Sequence, residues 1–268
     1  MASDATPTAI EWYPAKLLQS RETAPAFALV VLNQPLRNGT NLRRLWRNSS
    51  IRVAADGGAN RLKDLSSFEG KFSNLQVIIG DLDSLNPAVR DFYTSQPTPA
   101  QIIHDSSQYS TDFGKAIKHV RDKYPTGIDI VALGGIGGRV DQGLSQLHHL
   151  YLFQQDRTYG DGRIFLLSGS SLTFLLKAGS HRIQVREDGE EAVFGKHVGI
   201  IPLKEPSRIS TKGLEWDVTD WETQMGGNLS TSNHVLPDTR WVQVETDKDV
   251  LFTIALKHID GENDGWRE

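Results

Sequence analysis

The sequence predicts two domains of different class, an α/β domain followed by an all-β domain, and three observations carry that expectation. Apolar runs alternate with helix-patterned segments as far as Arg163. Beyond it, strand-like runs follow one another with turns between them and no long helical pattern. The length, 268 residues, suits two ordinary domains. Alternation with wholly apolar strands argues for a parallel sheet covered on both faces, Rossmann-like in class. Successive strands argue for a β-sandwich, jelly-roll-like in its connections. The expected boundaries are 26–168 and 169–268, with 1–25 left as an N-terminal extension.

Each element has its own warrant. Residues 27–33 are a nearly unbroken apolar run and read as a buried strand, followed by an amphipathic helix at 41–47. Residues 51–55 are a second strand, and a helix begins over 57–65. A third strand is expected at 75–79. Asn86-Pro87 then starts a helix, because proline suits the first helical turn. Residues 101–104 are the fourth strand. The helix at 111–123 carries Phe113, Ala116, Ile117 and Val120 at helical spacing. Residues 128–133 are the fifth strand and 142–155 a long helix. Later strands are expected at 164–167, 172–176, 181–185, 198–202, 241–245 and 251–256, with Gly179 and Gly189 marking turns. The first of these could instead close the parallel sheet.

Composition excludes several classes. A net charge of −4 gives no polybasic signal, so nucleic acid and membrane surfaces are not expected partners. No apolar run approaches the ~20 residues needed to cross a bilayer. The first 25 residues lack a signal-peptide core. The absence of cysteine excludes disulfides, thiolate metal sites and a cysteine nucleophile, and fits a cytoplasmic location.

Four motifs carry the chemistry, each where a strand should end. Asp56-Gly57-Gly58-Ala59-Asn60 could bring backbone N–H groups and a helix amino end to a phosphate; an ordinary Asp-Gly turn is the plainer alternative. Gly80-Asp81-Leu82-Asp83-Ser84 sets two alternate carboxylates side by side. They repel unless a cation lies near, and they are hard oxygen ligands suited to Mg²⁺ holding a polyphosphate. Ser84 as a helix cap is the plainer reading. In Gln108-Tyr109-Ser110-Thr111-Asp112, Thr111 or Ser110 can cap a helix and Asp112 suits its dipole without any ligand. Gly134-Gly135-Ile136-Gly137-Gly138-Arg139-Val140-Asp141-Gln142 argues for a backbone passing close to something. Arg139 could grip phosphate oxygens with its planar fork, or simply pair with Asp141 on a loop. No Walker loop or dinucleotide fingerprint is present. Open parallel sheets bind ligands along their carboxyl edge, so these carboxylates point to a metal-dependent enzyme acting on a phosphorylated substrate. His148 and His149 read as packing or surface, and Trp216, taken alone, as core.

In that order the motifs resemble the eukaryotic thiamin pyrophosphokinase family, and most of all its fungal branch. Ser210-Thr-Lys-Gly213-Leu-Glu-Trp216 and Gly226-Gly-Asn-Leu-Ser230-Thr-Ser232-Asn233 are similar to that family's thiamin-binding segments. Leu82 stands where animal members often carry Phe, and Tyr109 replaces an acidic residue of some relatives; neither removes a proposed ligand.

The resemblance implies a homodimer with active sites between subunits, ATP and thiamin as substrates, and Mg²⁺ as cofactor. ATP plus thiamin would give AMP plus thiamin diphosphate, by in-line attack of the thiamin hydroxyl on the β-phosphorus. By matching motifs, Asp56, Asp81, Asp83 and Asp112 would hold the metal, and Asp56, Gly57, Asn60, Asp81 and Arg139 would bind ATP. Asp81, Asp83, Asp112, Arg139 and Asp141 would be the catalytic set, with Asp81 and Asp112 both candidates for the general base. Gln108, Trp216, Ser232 and Asn233 would meet thiamin, the last three offered across the dimer. Trp216 then reads as a ligand contact, its indole holding the thiazolium cation for roughly 0.5–2 kcal/mol. Two alternatives remain: a haloacid-dehalogenase-type phosphotransferase with Asp81 as nucleophile, and a non-catalytic nucleotide or thiamin sensor.

Overall fold

The computed structural model describes residues 9–19, 25–36, 39–69 and 72–257. Two compact units form. One is built on Pro25–Gly169, the other on the described residues 170–257 together with those before Pro25. The first strand, β1 (Ile10–Trp12), belongs to the second unit and is taken up with it.

The first unit alternates strand and helix: β2 (Phe27–Val31), α1 (Gly39–Asn48), β3 (Ile51–Ala55), α2 (Gly58–Glu69), β4 (Val77–Gly80), α3 (Pro87–Thr94), β5 (Gln101–His104), α4 (Asp112–Lys123), β6 (Asp129–Leu133), α5 (Val140–Phe153) and β7 (Ile164–Leu167). The strands lie in the order β5-β4-β3-β2-β6-β7, and adjacent ones pair in parallel. Residues 164–167 therefore close this sheet. Every residue of β2 and β7 is buried, as parallel strands covered on both faces require. β5, at the edge, keeps Gln101 and His104 exposed.

The chain moves from β2 out to β5, then crosses to the other flank of β2 for β6. The topological switch point thus falls between β2 and β6, where such sheets open a crevice at their carboxyl ends. α4 is set by its sequence. Thr111 caps it by accepting from the Gly114 N–H at 3.1 Å, and Phe113, Ala116, Ile117 and Val120 are buried on its inner face against β2, β3 and β4.

The second unit adds β8 (Ser171–Leu176), β9 (Gly179–Gln184), β10 (Phe194–Ile201), β11 (Ser207–Lys212), β12 (Trp221–Thr223), β13 (Ser230–His234), β14 (Trp241–Thr246) and β15 (Val250–Leu256). β13, β10, β15 and β8 lie side by side, antiparallel. A second sheet runs β1-β9-β14-β11-β12, antiparallel except for the β1–β9 pair. The positive φ of Gly179 and Gly189 fits the turns expected there.

The segment before Pro25 is more than an extension. Trp12 is fully buried, stacks on Phe174 at 4.7 Å and donates from Nε1 to His181 Nδ1 at 3.0 Å. His181 Nε2 meets the Lys177 carbonyl at 2.7 Å, so the imidazole is held neutral between donor and acceptor. An indole of this size removes roughly 150–250 Å² from water, worth at most about 4–6 kcal/mol. Residues 1–8 and 20–24 of that segment, and 258–268 of the second expected domain, lie outside the described residues. Among the described residues no helix is long and apolar enough to cross a membrane.

Candidate active site

Asp56 follows β3 and Asp81 follows β4, adjacent parallel strands, so backbone register alone brings them together. One carboxylate oxygen from each of Asp56, Asp81 and Asp83 lies within 4.8 Å of the others. Asp56 is buried, with φ of 43°. Its Oδ2 accepts from the Ser84 N–H at 3.2 Å, while Oδ1 is buried with no hydrogen-bond partner among the described residues. Burial pushes the Asp56 carboxyl above its ordinary range and the Asp112 charge adds to this, against hydrogen bonds from Ser84. A buried carboxylate with an unsatisfied oxygen beside two more carboxylates is a hard-ligand set open to a divalent cation.

Asp112 braces this group. Its Oδ1 accepts from the Asp81 N–H at 3.2 Å and from Lys115 Nζ at 3.0 Å, one helical turn away and buried. Sequence reading missed Lys115, which in isolation looks like any polar residue of a surface helix. Gly80 makes the packing possible: a Cβ there would lie 2.8 Å from Asp56 Cβ and 2.9 Å from Asp112 Oδ1. The loop bearing Asp81 and Asp83 turns through Leu82 at φ 63°, and the Asp83 N–H donates to Asp81 Oδ1 at 3.3 Å.

Two residues expected at ATP also brace the loops. Asn60 donates from Nδ2 to the Ser84 carbonyl at 2.7 Å and accepts the Asn86 N–H at 3.1 Å, so both ends of its amide are engaged. At Gly57 a Cβ would fall 2.3 Å from Asn33 Nδ2, so the bare backbone makes room for the chain's own asparagine. The glycine run after β6 behaves similarly. A Cβ on Gly138, at φ 69°, would lie 2.6 Å from Gln34 Oε1, and the Ile136 N–H donates to Gln146 Oε1.

Arg139 and Asp141 form an exposed fork-to-fork pair, Nη2–Oδ2 at 2.6 Å and Nε–Oδ1 at 3.1 Å, at the start of α5. The hydrogen bond from Arg139 holds the Asp141 carboxyl below its ordinary range. Among the described residues no hydrogen bond or ion pair joins either to the acidic group. Gln108 is exposed beside Tyr109. His149 is buried and accepts the Thr111 hydroxyl at Nε2 (2.8 Å), so it serves packing, while His148 is exposed.

In the second unit Trp216 is 55% exposed, which rules out a core role. Its backbone is clamped by Asn233: the Trp216 N–H donates to Asn233 Oδ1 at 3.2 Å and Asn233 Nδ2 donates to the Trp216 carbonyl at 2.9 Å. Asn233 is buried, and its amide positions the Trp216 backbone. Ser232, at φ 54°, is exposed. His234 lies against the Trp216 ring, centroids 5.0 Å apart, and its Nδ1 meets Glu215 Oε2 at 2.5 Å. Sequence reading missed this pair, because the two segments meet only through contacts between residues distant in sequence, the Leu214–Val235 bridge among them.

Residues 42–159 match the family description "Thiamin pyrophosphokinase, catalytic domain", and 180–251 match "Thiamin pyrophosphokinase, vitamin B1 binding domain". Among solved structures, the thiamin pyrophosphokinase from Candida albicans superposes with a TM-score of 0.77 at 27% identity, covering 94% of this chain and 95% of that one. Yeast thiamin pyrophosphokinase shares the fold, with a TM-score of 0.78 at 24% identity over 100% and 96% of the two chains. Thiamine pyrophosphokinase 1 of Arabidopsis thaliana is 37% identical over 252 residues, 88% of each chain. With both family halves matched in sequence order and that identity sustained along the chain, this protein belongs to the thiamin pyrophosphokinase family.

Proposed function

We propose that this chain transfers pyrophosphate from ATP to the hydroxyl of thiamin, giving thiamin diphosphate and AMP, and that it works in the cytoplasm as an Mg²⁺-dependent homodimer. The observation that carries the reading is the buried Asp56 Oδ1, without a partner among the described residues and within reach of Asp81 and Asp83. These three carboxylates would hold the metal. When bound, a divalent cation draws charge from phosphate oxygens.

The chain's own residues divide the remaining work. Asp112 fixes the Asp81 backbone, and with Oδ1 shared between that N–H and the Lys115 ammonium it is better suited to positioning than to taking a proton. Asp81 is the other candidate for the general base, and holding the metal would weaken it in that role. Arg139, exposed, can exchange Asp141 for phosphate oxygens and steady charge on the transferred group. The Trp216 indole offers a face to the thiazolium cation, and exposed Gln108 and Ser232 are available to the vitamin. Two-chain sites are supported by the exposed apolar stripe Val140, Leu144 and Leu152 on α5, spaced as a helix spaces residues it buries. Neither a phosphoaspartate on Asp81 nor a sensor role has support, since both halves of the chain match the transferase family.

Purified protein incubated with ATP, thiamin and Mg²⁺ should yield AMP and thiamin diphosphate in equal amounts. ADP with thiamin monophosphate, or ATP turnover indifferent to thiamin, would sink the proposal.

A further inference from the structure

We infer that His234 is a positioning residue that fixes the Trp216 indole for the vitamin, with Glu215 holding the imidazole in place. The inference rests on the reading of Trp216 as a thiamin contact. An exposed indole is not oriented by packing, and an indole free to rotate loses side-chain entropy when it stacks on a ligand. Here the backbone under the ring is fixed from three directions: the Leu214–Val235 bridge, the Glu215 N–H to the His234 carbonyl at 2.8 Å, and the reciprocal bonds with Asn233. That leaves the indole's own torsions. His234 sits against the ring at 5.0 Å, tilted by 46°.

The imidazole is itself constrained. His234 Nδ1 meets Glu215 Oε2 at 2.5 Å, its backbone N–H donates to Asn233 Oδ1 at 2.8 Å, and the His197 ring stands edge-on at 4.9 Å. His234 and Glu215 also line a shallow cavity of about 510 Å³ with Lys196, Val235 and Leu236. The imidazole therefore has open space beside it, and the carboxylate restrains it where packing does not. Glu215 and Trp216 are adjacent in sequence, so the residue that clamps the imidazole moves with the residue the imidazole orients.

The test compares steady-state kinetics of the full-length enzyme and its variants, with both substrates varied. Trp216→Ala gives the reference loss in thiamin KM. His234→Ala should raise the thiamin KM by roughly 2- to 12-fold, the span to which aromatic pair energies correspond. The kcat and ATP KM should stay within about twofold. His234→Phe should recover most of the loss, because a flat ring remains against the indole. Glu215→Ala should raise the thiamin KM no further than His234→Ala does. In a Trp216→Ala background, His234→Ala should change nothing more, since a residue acting through the indole has nothing left to position. An unchanged thiamin KM in His234→Ala while Trp216→Ala raises it overturns the inference alone. So does an additive loss in the double variant, or a fall in kcat with both KM values raised. An unchanged thiamin KM in Trp216→Ala would remove the vitamin-contact reading and the inference with it.

Discussion

The Ser84 N–H reaches across 3.2 Å to Asp56 Oδ2, tying the loop after β4 to the end of β3 and leaving the second Asp56 oxygen buried without a partner among the described residues. Burial raises the Asp56 pKa, so its ionised form weighs against the fold and that cost grows as pH rises through the raised value. Asp56→Asn keeps the shape and tolerates the left-handed backbone. Without divalent cation it should melt at the wild-type temperature or a few degrees higher, yet lose activity and any stabilisation by Mg²⁺. A clearly lower melting temperature without metal would contradict the placement of this carboxylate.

Gly80→Ala tests how tightly the acidic group is built. Its methyl would meet Asp56 Cβ at 2.8 Å and Asp112 Oδ1 at 2.9 Å. Relieving that overlap must part the carboxylates, at a cost of about 1–3 kcal/mol in stability. Activity should fall at least about tenfold, because misplacement by an ångström is costly. Wild-type turnover with wild-type denaturation would show that the group is looser than described.

Trp216→Ala should weaken thiamin binding by roughly 5- to 150-fold, about 1–3 kcal/mol, through lost stacking and cation–π attraction. Trp216→Phe should keep part of it. A non-hydrolysable ATP analogue should bind unchanged, and so should the melting temperature, since the indole is 55% exposed. Equal losses for both ligands by calorimetric titration would count against a separate vitamin contact.

Mixed dimers address the proposed two-chain site. Inactive Asp81→Asn chains and Trp216→Ala chains, assayed at a thiamin concentration too low for the latter to turn over alone, should recover activity when combined, because one composite site of the pair keeps both native residues. Verified heterodimers without activity would argue that each chain contains its own site.

His149 sets a pH limit on stability. Burial, above all, lowers its pKa below 6.5, with the Ser145 carbonyl opposing. The folded protein thus resists the proton more than the unfolded chain does. The stability His149 contributes is full above 6.5 and drains away as pH falls from there through the lower folded value. Urea midpoints between about pH 7 and 5 should drop more steeply for wild type than for His149→Gln, which cannot titrate there. Parallel slopes would acquit His149.

What the sequence disclosed, and what it hid, follows from how far each element depends on distant partners. β2 and β7 announce themselves by unbroken apolar runs, β3 by a run interrupted only at Arg52, and α4 by its cap and spacing. β11 (Ser-Arg-Ile-Ser-Thr-Lys) and β13 (Ser-Thr-Ser-Asn-His) have almost no apolar pattern and become strands only because neighbours complete their ladders. β1 and β12 are three residues each, too short to show a period. Asp56, Asp81 and Asp83 were legible because strand ends converge on one edge of a sheet. The part played by Asn60 was not, since a side chain's partner cannot be read from its own neighbours.

Trp12 and His181 are 169 residues apart in the chain. A ribosome makes the tryptophan early and its acceptor late, with the entire contiguous α/β unit emerging between them. That unit can fold during synthesis, as contiguous domains do. β1 cannot, and its indole must stay wet until β9 exists. The entropic cost of closing so long a loop grows only with the logarithm of its length, but the search is slow. A strand translated before the α/β unit is therefore installed after it, and for that interval the nascent chain carries an unburied tryptophan for a chaperone, or another nascent chain, to find.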